Sequence, residues 1–412
     1  MSLITLTDTV IKEFNISHYR ALITIASILQ KTGKSFNEAK LNSVIETLGE
    51  MEKDIFSKMV EFELISKKWH VSCHINEETF VCKTDASNCE SCSQMLNNSN
   101  HEITDYYKLK KGAMRELENL TREYALQEYL IGFTNHNFEE LVKRKDNIIP
   151  FIGSGASVPV GLPSWGQMIL RLQDNIEEDF RPPFIKYVKQ GNFLKALSYL
   201  KEHSLLSTDQ IKEMIRDDFD KVPADVLLVK DSNYKDFASI SSKTYITTNY
   251  DNFLTDYISQ IENSVAVPYT WKDIIDTQNL LHENKKRVFH IHGHVQKLDT
   301  MIVTVEDYIE LYKDQIFKDK LLGVMASNHL LFIGFSFQDE YYKELYTRII
   351  SSINGVHYIV LPNVTLEEAK KISQEAPNLR VIGINVKKDE NSYYIMSDFI
   401  QAIRTLIIHL NN

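Results

Sequence analysis

The 412-residue chain lacks the apolar run of about 18 residues that a membrane-spanning helix would need. Its amino terminus also lacks the basic start of a secretory signal, and Asp8 and Lys12 interrupt the apolar residues there. Internal repeats and low-complexity tracts are absent from the sequence as well. These absences predict a folded cytoplasmic protein that does not associate with membranes.

Cysteine and positive charge are also scarce. The chain has four cysteines, all between Cys73 and Cys92. In a reducing compartment such a cluster favours a metal site over two disulfides. The formal net charge of −10 argues against nucleic acid or an anionic membrane surface as the default partner, unless a basic patch forms locally.

The first quarter of the chain contains helical patterns followed by two strand-like segments that a polar turn separates. The helical segments are 18–31, 36–48 and 50–62, and the strand-like segments are 64–72 and 79–83. This order predicts a winged-helix-like module over residues 1–100, which would serve in sensing or assembly. The polar helical pattern that follows predicts a helical linker over residues 101–145.

The four cysteines have the spacing of a zinc knuckle within the winged-helix-like module. They follow the pattern Cys-x8-Cys-x6-Cys-x2-Cys, and four thiolates complete the tetrahedral shell of a structural zinc ion. The predicted ligands are Cys73, Cys82, Cys89 and Cys92. His70 and His74 are substitute ligands in the same segment, and unrelated buried thiols are the alternative explanation.

From residue 146 onwards, apolar β-type segments alternate with helical ones. The apolar segments are 148–152, 243–247, 287–291, 329–333, 357–361 and 380–386. Nearly continuous apolar strands between helices indicate a parallel sheet that is covered on both faces. Residues 146–412 are therefore predicted to form a doubly wound, Rossmann-like α/β domain with a helical insert over 165–235.

Four short motifs follow these predicted strands, at the ends where an open parallel sheet binds its ligands. The first runs from Gly153 through Ser154 and Gly155 to Ser157, and its glycines would let a pyrophosphate approach backbone N–H groups. Pro163 follows in a Gly-Leu-Pro turn. The motif is not a P-loop, because no Lys-Ser/Thr pair follows at the required spacing. A plain structural turn explains the first motif equally well.

The second motif, Thr247-Thr248-Asn249-Tyr250-Asp251, places polar side chains in the loop after a short strand. An asparagine there can hold a water molecule or a ribose hydroxyl, and an aspartate can orient the loop. An Asx turn or a helix cap explains the same residues without any ligand. Taken alone, the second motif favours that structural explanation.

The third motif contains three alternating histidines, His290, His292 and His294, after another apolar strand. Histidine titrates near neutral pH and suits proton transfer. A strand that continued straight through Gly293 would put all three rings on one face, which is the rival prediction of a metal site.

The fourth motif, Gly334-Phe335-Ser336, ends the next apolar strand. A serine at this place suits hydrogen bonding to a ribose. A structural turn between strand and helix is the alternative.

Together the four motifs resemble the sirtuin superfamily in their order and spacing, over about two-thirds of the chain. The matching residues are Gly153–Ser157, Gly161–Pro163, Thr247, Asn249, Asp251, His292, Gly293, Gly334 and Ser336. Protein-deacylating sirtuins carry a four-cysteine zinc module after the catalytic histidine, whereas no cysteine follows Cys92 here. The chain therefore resembles the sirtuin-like NAD hydrolases of bacterial antiviral defence.

The resemblance implies that NAD is the substrate and is hydrolysed to nicotinamide and ADP-ribose through an oxocarbenium-like state. Asn249 would orient water and ribose, His292 would accept a proton, and Asp251 would support them. Ser336 would bind the adenosine ribose. The other substrate-binding residues that it implies are Gly153, Ser154, Gly155, Ser157, Pro163, Thr247, Gly293 and Gly334.

The resemblance also implies a homo-oligomeric effector that stays inactive until an activating protein or a phage-derived trigger engages it. Because no ATP-hydrolysing motif occurs, any ATPase would be a separate chain. Two alternatives stay open: a protein deacylase or ADP-ribosyltransferase that uses NAD, and a non-catalytic, DNA-binding sensor of NAD or ADP-ribose. DNA binding is disfavoured because acidic residues outnumber lysines between Gly33 and Ser66, although Lys67 and Lys68 follow.

Overall fold

A computed structural model describes residues 3–219, 232–263, 268–276, 285–325, 328–335 and 355–411. The chain divides into two compact units, Met1–Glu128 and Tyr129–Asn412. Within the described ranges, no helix combines the length and the apolar character that crossing a membrane requires.

The first unit packs helices against a small antiparallel sheet. Its helices are α1 (Leu3–Phe14), α2 (His18–Thr32), α3 (Glu38–Ile45), α4 (Glu50–Glu61) and α5 (Ala113–Tyr129), the last ending at the boundary of the units. Its strands are β1 (Ser35–Asn37), β2 (Ile65–Cys73), β3 (Glu78–Cys82) and β4 (His101–Leu109), in the spatial order β1-β4-β2-β3. The apolar faces of the helices and of β2 and β4 share one core, which includes Leu22, Ile55 and Ile65.

Strand β4 corrects the prediction that a helical linker begins at residue 101. Its nine residues pair antiparallel with β2, from His101 opposite Cys73 to Leu109 opposite Ile65. Its buried residues are Tyr107 and Leu109, two positions apart, as the period of a strand requires. The helical prediction was wrong here because the period-two pattern of β4 is short and largely polar.

The second unit is an α/β domain built on a seven-stranded parallel sheet, which confirms the predicted Rossmann-like architecture. Its strands are β5 (Ile148–Ile152), β6 (Thr244–Thr247), β7 (Tyr269–Thr270), β8 (Arg287–His290), β9 (His329–Ile333), β10 (His357–Pro362) and β11 (Leu379–Ile384). Its helices are α6 (Asn135–Lys143), α7 (Trp165–Arg171), α8 (Arg181–Lys189), α9 (Phe193–Glu202), α10 (Thr208–Phe219), α11 (Tyr234–Ser239), α12 (Phe253–Ile261), α13 (Val305–Lys313), α14 (Gln315–Met325), α15 (Leu366–Glu375) and α16 (Met396–Asn411).

Burial explains why these strands read as continuous apolar runs. Every residue of β5 and of β8 is buried, and Phe151, Phe289 and Phe332 lie in one core with no exposed surface. Helices α7 to α10 follow β5 and enclose a separate cluster that includes Phe184 and Leu197. The predicted helical insert therefore has a core of its own.

The strand order β11-β10-β9-β5-β6-β8-β7 creates the crevice in which such sheets bind ligands. After β5, the chain adds β6 and β8 on one side and returns to place β9 on the other. The order thus reverses between β5 and β9, and ligands bind outside the carboxyl ends of the strands at such a point. The four predicted motifs follow β5, β6, β8 and β9, which are neighbours in the sheet.

Candidate functional site

A pocket lies at the carboxyl ends of these strands. Six of the residues singled out from the sequence line it: Ser154, Ser157, Pro163, Asn249, Asp251 and His292. Apolar side chains, including Trp165 and Phe335, complete the wall. The structure therefore brings residues from all four motifs into one concave site, since Phe335 of the fourth lines it, and Gly334 of the fourth lines an adjoining pocket.

The glycines after β5 allow two loops of the protein to approach each other closely. A Cβ atom on Gly153 would lie 2.6 Å from the carbonyl oxygen of Gly334, and one on Gly155 would lie 2.9 Å from the same atom. Gly334 has a φ of +81°, and a Cβ there would lie 2.7 Å from the Gly153 oxygen. Contact between the loops thus accounts for these glycines without a phosphate.

The backbone of the loop after β5 is already hydrogen-bonded. The N–H groups of Gly153, Gly155 and Ser157 donate to the carbonyls of Ile333, Gly334 and Ser154 respectively, at 2.8 to 3.0 Å. In this conformation those three N–H groups cannot also donate to a pyrophosphate, which is the role predicted for this loop. The hydroxyl of Ser154 has no hydrogen bond among the described residues, and it is the polar group of this loop that can meet a ligand.

Ser157 is the centre of a buried polar network instead. Its hydroxyl donates to Asp251 Oδ2 at 2.7 Å, lies 2.6 Å from the Tyr234 hydroxyl and accepts from Asn249 Nδ2 at 2.8 Å. Ser157 is 4% exposed, so the network is shielded from bulk water. These contacts orient Asn249 and Asp251, and the phosphate-binding role of Ser157 stays a prediction.

The network fixes the side-chain amide of Asn249. The carbonyl oxygen of Gly153 can only accept, and it lies 3.2 Å from Nδ2, so the NH₂ group must face it. The amide oxygen Oδ1 consequently points away from these partners. It is buried, and among the described residues it has no hydrogen-bond partner. An unsatisfied buried acceptor at a pocket wall costs stability unless a water or a ligand hydroxyl reaches it.

Asp251 supports the loop from within. Burial raises the pKa of its carboxyl, while hydrogen bonds from Ser157 and from the backbone N–H of Phe253 act in the opposite direction. Thr247 performs a similar internal task, because its hydroxyl donates to the Ile152 carbonyl and accepts from the Asn249 N–H. Thr247 thus shapes the loop rather than lining the pocket.

His292 is buried, with 4% exposure, and two tyrosine hydroxyls contact its ring. Nε2 lies 2.8 Å from the Tyr312 hydroxyl, and Nδ1 lies 3.1 Å from the Tyr308 hydroxyl. Burial lowers the pKa of His292 to about 3, so the ring is neutral at physiological pH. Neither tyrosine belongs to a motif after a strand end, which is why sequence reasoning missed them.

The other two histidines of the third motif serve the loop and do not form a metal site. Strand β8 ends at His290, and Gly293 turns the chain with a φ of +90°. The rings of His290 and His294 meet edge to face at 4.9 Å, while His292 contacts the tyrosines. His290 Nδ1 lies 2.9 Å from the Asn249 carbonyl oxygen, so it braces the loop after β6.

A second, larger pocket adjoins the first. Ser154, Trp165 and Phe335 line both. The second pocket also includes Tyr394 and Phe399, close to the start of α16. The predicted ribose ligand Ser336 lies outside the described residues.

The first unit contains a separate candidate metal site, formed by Cys73, Cys89, Cys92 and His101. One ligand atom from each residue lies within 4.8 Å of all the others. Burial alone would raise the pKa of the Cys73 thiol, but backbone N–H groups of Asn76 and Ile75 lower it below its ordinary value. Donors that favour a thiolate are suited to a metal ligand.

His101 takes the place predicted for Cys82. Cys82 is buried but does not belong to the group, because it pairs with Trp69 in the β2–β3 ladder, away from the end of β2 where Cys73 lies. His101 is directly opposite Cys73 in the β2–β4 pair. Its Nδ1 contacts Asn98 Oδ1 at 2.6 Å, which leaves Nε2 facing Cys92 Sγ at 3.3 Å. An outer partner of this kind typically orients a metal-binding histidine.

Comparison with known proteins gives a matching result for the second unit. Residues 243–382 match the family described as the SIR2-like domain. The chain is 25% identical over 240 residues to NAD(+) hydrolase ThsA of Enterococcus faecium, which covers 56% of this chain and 46% of the relative. A second alignment, with NAD(+) hydrolase ThsA of Bacillus cereus strain MSX-D12, is 26% identical over 227 residues. It covers 54% of this chain and 43% of that relative. The alignments span less than half the length of these relatives, and they confirm the predicted resemblance.

Proposed function

We propose that this chain, which carries a SIR2-like domain, is an NAD+ hydrolase that converts NAD+ and water to nicotinamide, ADP-ribose and a proton. The observation that carries the proposal is the buried Oδ1 of Asn249, which has no hydrogen-bond partner in the described part of the chain. Asn249 lines the same pocket as the neutral ring of His292. A hydrolase of this type needs an acceptor for a ribose hydroxyl or a water, and a base beside it.

Each side chain of the pocket has a role in the proposed reaction. Asn249 Oδ1 would accept a hydrogen bond from the attacking water or from a ribose hydroxyl, and so hold it against the reacting carbon. His292 would take the proton that is released as the new C–O bond forms. The apolar walls exclude bulk water while the positive charge moves from the nicotinamide ring onto the ribose in the oxocarbenium-like transition state.

The two adjoining pockets accommodate the two ends of a dinucleotide. The nicotinamide riboside would occupy the pocket with Asn249 and His292, and the adenosine would occupy the larger one. Ser154 lies on the border of both, where its free hydroxyl would meet the pyrophosphate. Ser336 remains the proposed partner of the adenosine ribose.

The first unit is proposed to be a winged-helix-like module with a structural zinc ion. The order α2-β1-α3-α4-β2-β4 and the sheet order β1-β4-β2 support this topology. Cys73, Cys89, Cys92 and His101 would hold the metal, since three thiolates and one imidazole are a common tetrahedral zinc set. Bound zinc would add to the folding stability of the unit, and its closed shell leaves no position for catalysis.

We further propose that the protein is a cytoplasmic, NAD-depleting effector of antiphage defence that works as a homo-oligomer. Activation by a partner protein or a phage-derived trigger belongs to the same proposal. The names of the relatives support hydrolysis over the deacylase, ADP-ribosyltransferase and DNA-binding alternatives. The acidic character of residues 33–66 also disfavours DNA.

Incubation of the full chain with NAD+, alone and with phage lysate, tests the activity. Nicotinamide and ADP-ribose are expected in equal amounts, at a rate that His292→Ala strongly lowers. His136→Ala, an exposed histidine on α6, is the matched control and should leave the rate unchanged. An acyl-peptide substrate added to the assay separates the alternatives, because deacylation or peptide ADP-ribosylation in place of free ADP-ribose would contradict hydrolysis.

A further inference from the structure

Two tyrosines of one helix hold the ring of His292. Tyr308 and Tyr312 lie four residues apart on α13, a spacing that puts both hydroxyls on one face of a helix. They contact Nδ1 and Nε2 respectively, at 3.1 and 2.8 Å. Both ring nitrogens of His292 are therefore held from the same element.

Helix α13 is in turn fixed to the helical insert. Lys212 on α10 donates to Asp307 Oδ1 at 2.9 Å, and the two side chains are 8% and 16% exposed. The other oxygen of Asp307 accepts from the backbone N–H groups of Val303 and Thr304, which caps the helix. Because Asp307 directly precedes Tyr308, the ion pair helps to set where that tyrosine stands.

A second ion pair also joins the helical insert to α13 but is much more open to solvent. Lys201 on α9 lies 3.2 Å from Glu306, with the side chains 28% and 68% exposed. Exposed pairs contribute little to stability, whereas breaking a buried pair leaves a charge without compensation. The Lys212–Asp307 pair is therefore the effective link between the insert and α13.

We propose that Tyr308 and Tyr312 are positioning residues of His292, and that Lys212 of the helical insert holds them in place through Asp307. A phenol hydroxyl can both donate and accept, so it can hold an imidazole nitrogen before and after the ring takes up a proton. Two such hydroxyls fix the rotation of the ring, and they give either tautomer a partner at both nitrogens. The role of His292 as the base rests on the proposed function, but the contacts themselves do not.

The structural half of the inference is tested without substrate, by nitrogen-15 NMR of the thirteen histidines in the full chain. The signal that disappears in His292→Gln identifies His292. We expect the ring nitrogen signals of His292 to shift in both tyrosine variants, mainly at Nε2 in Tyr312→Phe and mainly at Nδ1 in Tyr308→Phe. Unchanged His292 signals in both variants would overturn the positioning role. If Tyr312→Phe fails to fold, Tyr308→Phe decides the matter alone.

The role of the insert is tested by Lys212→Met, with Lys201→Met as the matched control on the exposed pair. Lys212→Met is expected to shift the His292 signals as the tyrosine variants do, and Lys201→Met to leave them in place. Equal effects of the two methionine variants would overturn the coupling through Asp307.

NAD+ cleavage then connects the contacts with catalysis. Tyr312→Phe is expected to lower kcat about tenfold or more while KM changes less than about twofold, as for an interaction that matters in the transition state. An unchanged kcat together with shifted His292 signals would overturn the link to catalysis. If the wild type cleaves no NAD+ while the signals respond as expected, the proposed function fails and the positioning role stands.

Discussion

Ser154 and Ser157 lie three residues apart in one loop, yet the structure gives them different tasks. Ser157→Ala removes the acceptor of Asn249 Nδ2 and the donor to Asp251 Oδ2. A buried polar group that loses its partner costs about 1–3 kcal/mol. Since Nδ2 keeps the Gly153 carbonyl as a second partner, we expect the free energy of unfolding to fall by about 2–4 kcal/mol in total. Ser154→Ala should change it by less than about 0.5 kcal/mol.

The two variants should also differ in kinetics. Ser157→Ala leaves the amide of Asn249 less well oriented, so we expect kcat for NAD+ cleavage to fall about tenfold with little change in KM. Ser154→Ala should instead raise KM several-fold, because we propose that the Ser154 hydroxyl binds the pyrophosphate. Urea unfolding and steady-state kinetics measure both quantities. Equal stability of the two variants, or a rise in KM alone for Ser157→Ala, would refute the role assigned to the network.

Three more predictions concern other parts of the chain. Gly293→Ala should lower the free energy of unfolding, measured in urea, by about 3 kcal/mol or more. The reason is that Gly293 has a φ of +90° and that a Cβ there would lie 2.1 Å from the Thr300 carbonyl oxygen. A variant as stable as the wild type would contradict this. His101→Ala should abolish zinc binding measured by mass spectrometry of the metal, whereas Cys82→Ser should retain it, and the reverse result would restore the four-cysteine set. Between pH 7 and 5 the free energy of unfolding should fall by about 4 kcal/mol, and a flat profile would be evidence against buried neutral histidines.

The sign of this pH dependence follows from the folded-state pKa values. Burial lowers the pKa of His290 and His292 to about 3 and that of His294 to about 4. The unfolded chain, with histidines near 6.5, binds more protons, so stability is lost as the pH falls below that value. At pH 5 each of the three rings lowers the free energy of unfolding by about 2 kcal/mol. Burial raises the pKa of Asp256 to about 6, which opposes part of the loss.

The architecture of the second unit could be predicted because its signals are local. Apolar strands between helices indicate a parallel sheet, and each polar motif begins where a strand ends. The order of the strands could not be deduced in this way. It brings Gly334 against Gly153 and Gly155, a contact that the sequence shows only as glycines that also suit a phosphate.

Residues that act through tertiary contacts could not be predicted from the sequence. Tyr234, Tyr308 and Tyr312 reach the site from helices whose local pattern is that of ordinary amphipathic segments. His101 was missed because β4 was taken for the start of a helical linker. Once β4 is known to pair with β2, the position opposite Cys73 becomes an evident ligand.

The proposed NAD+ hydrolysis takes place in the pocket where the amide oxygen of Asn249 is buried and, among the residues that the structure describes, has no hydrogen-bond partner. The most direct measurement compares nicotinamide release by Asn249→Ala and Asn252→Ala under the conditions in which the wild type is active. Asn252 belongs to the same loop but does not line the pocket. We expect the rate of nicotinamide release to fall about a hundredfold or more in Asn249→Ala. In Asn252→Ala the rate should stay within a few-fold of the wild type. Comparable rates for the two variants would contradict it.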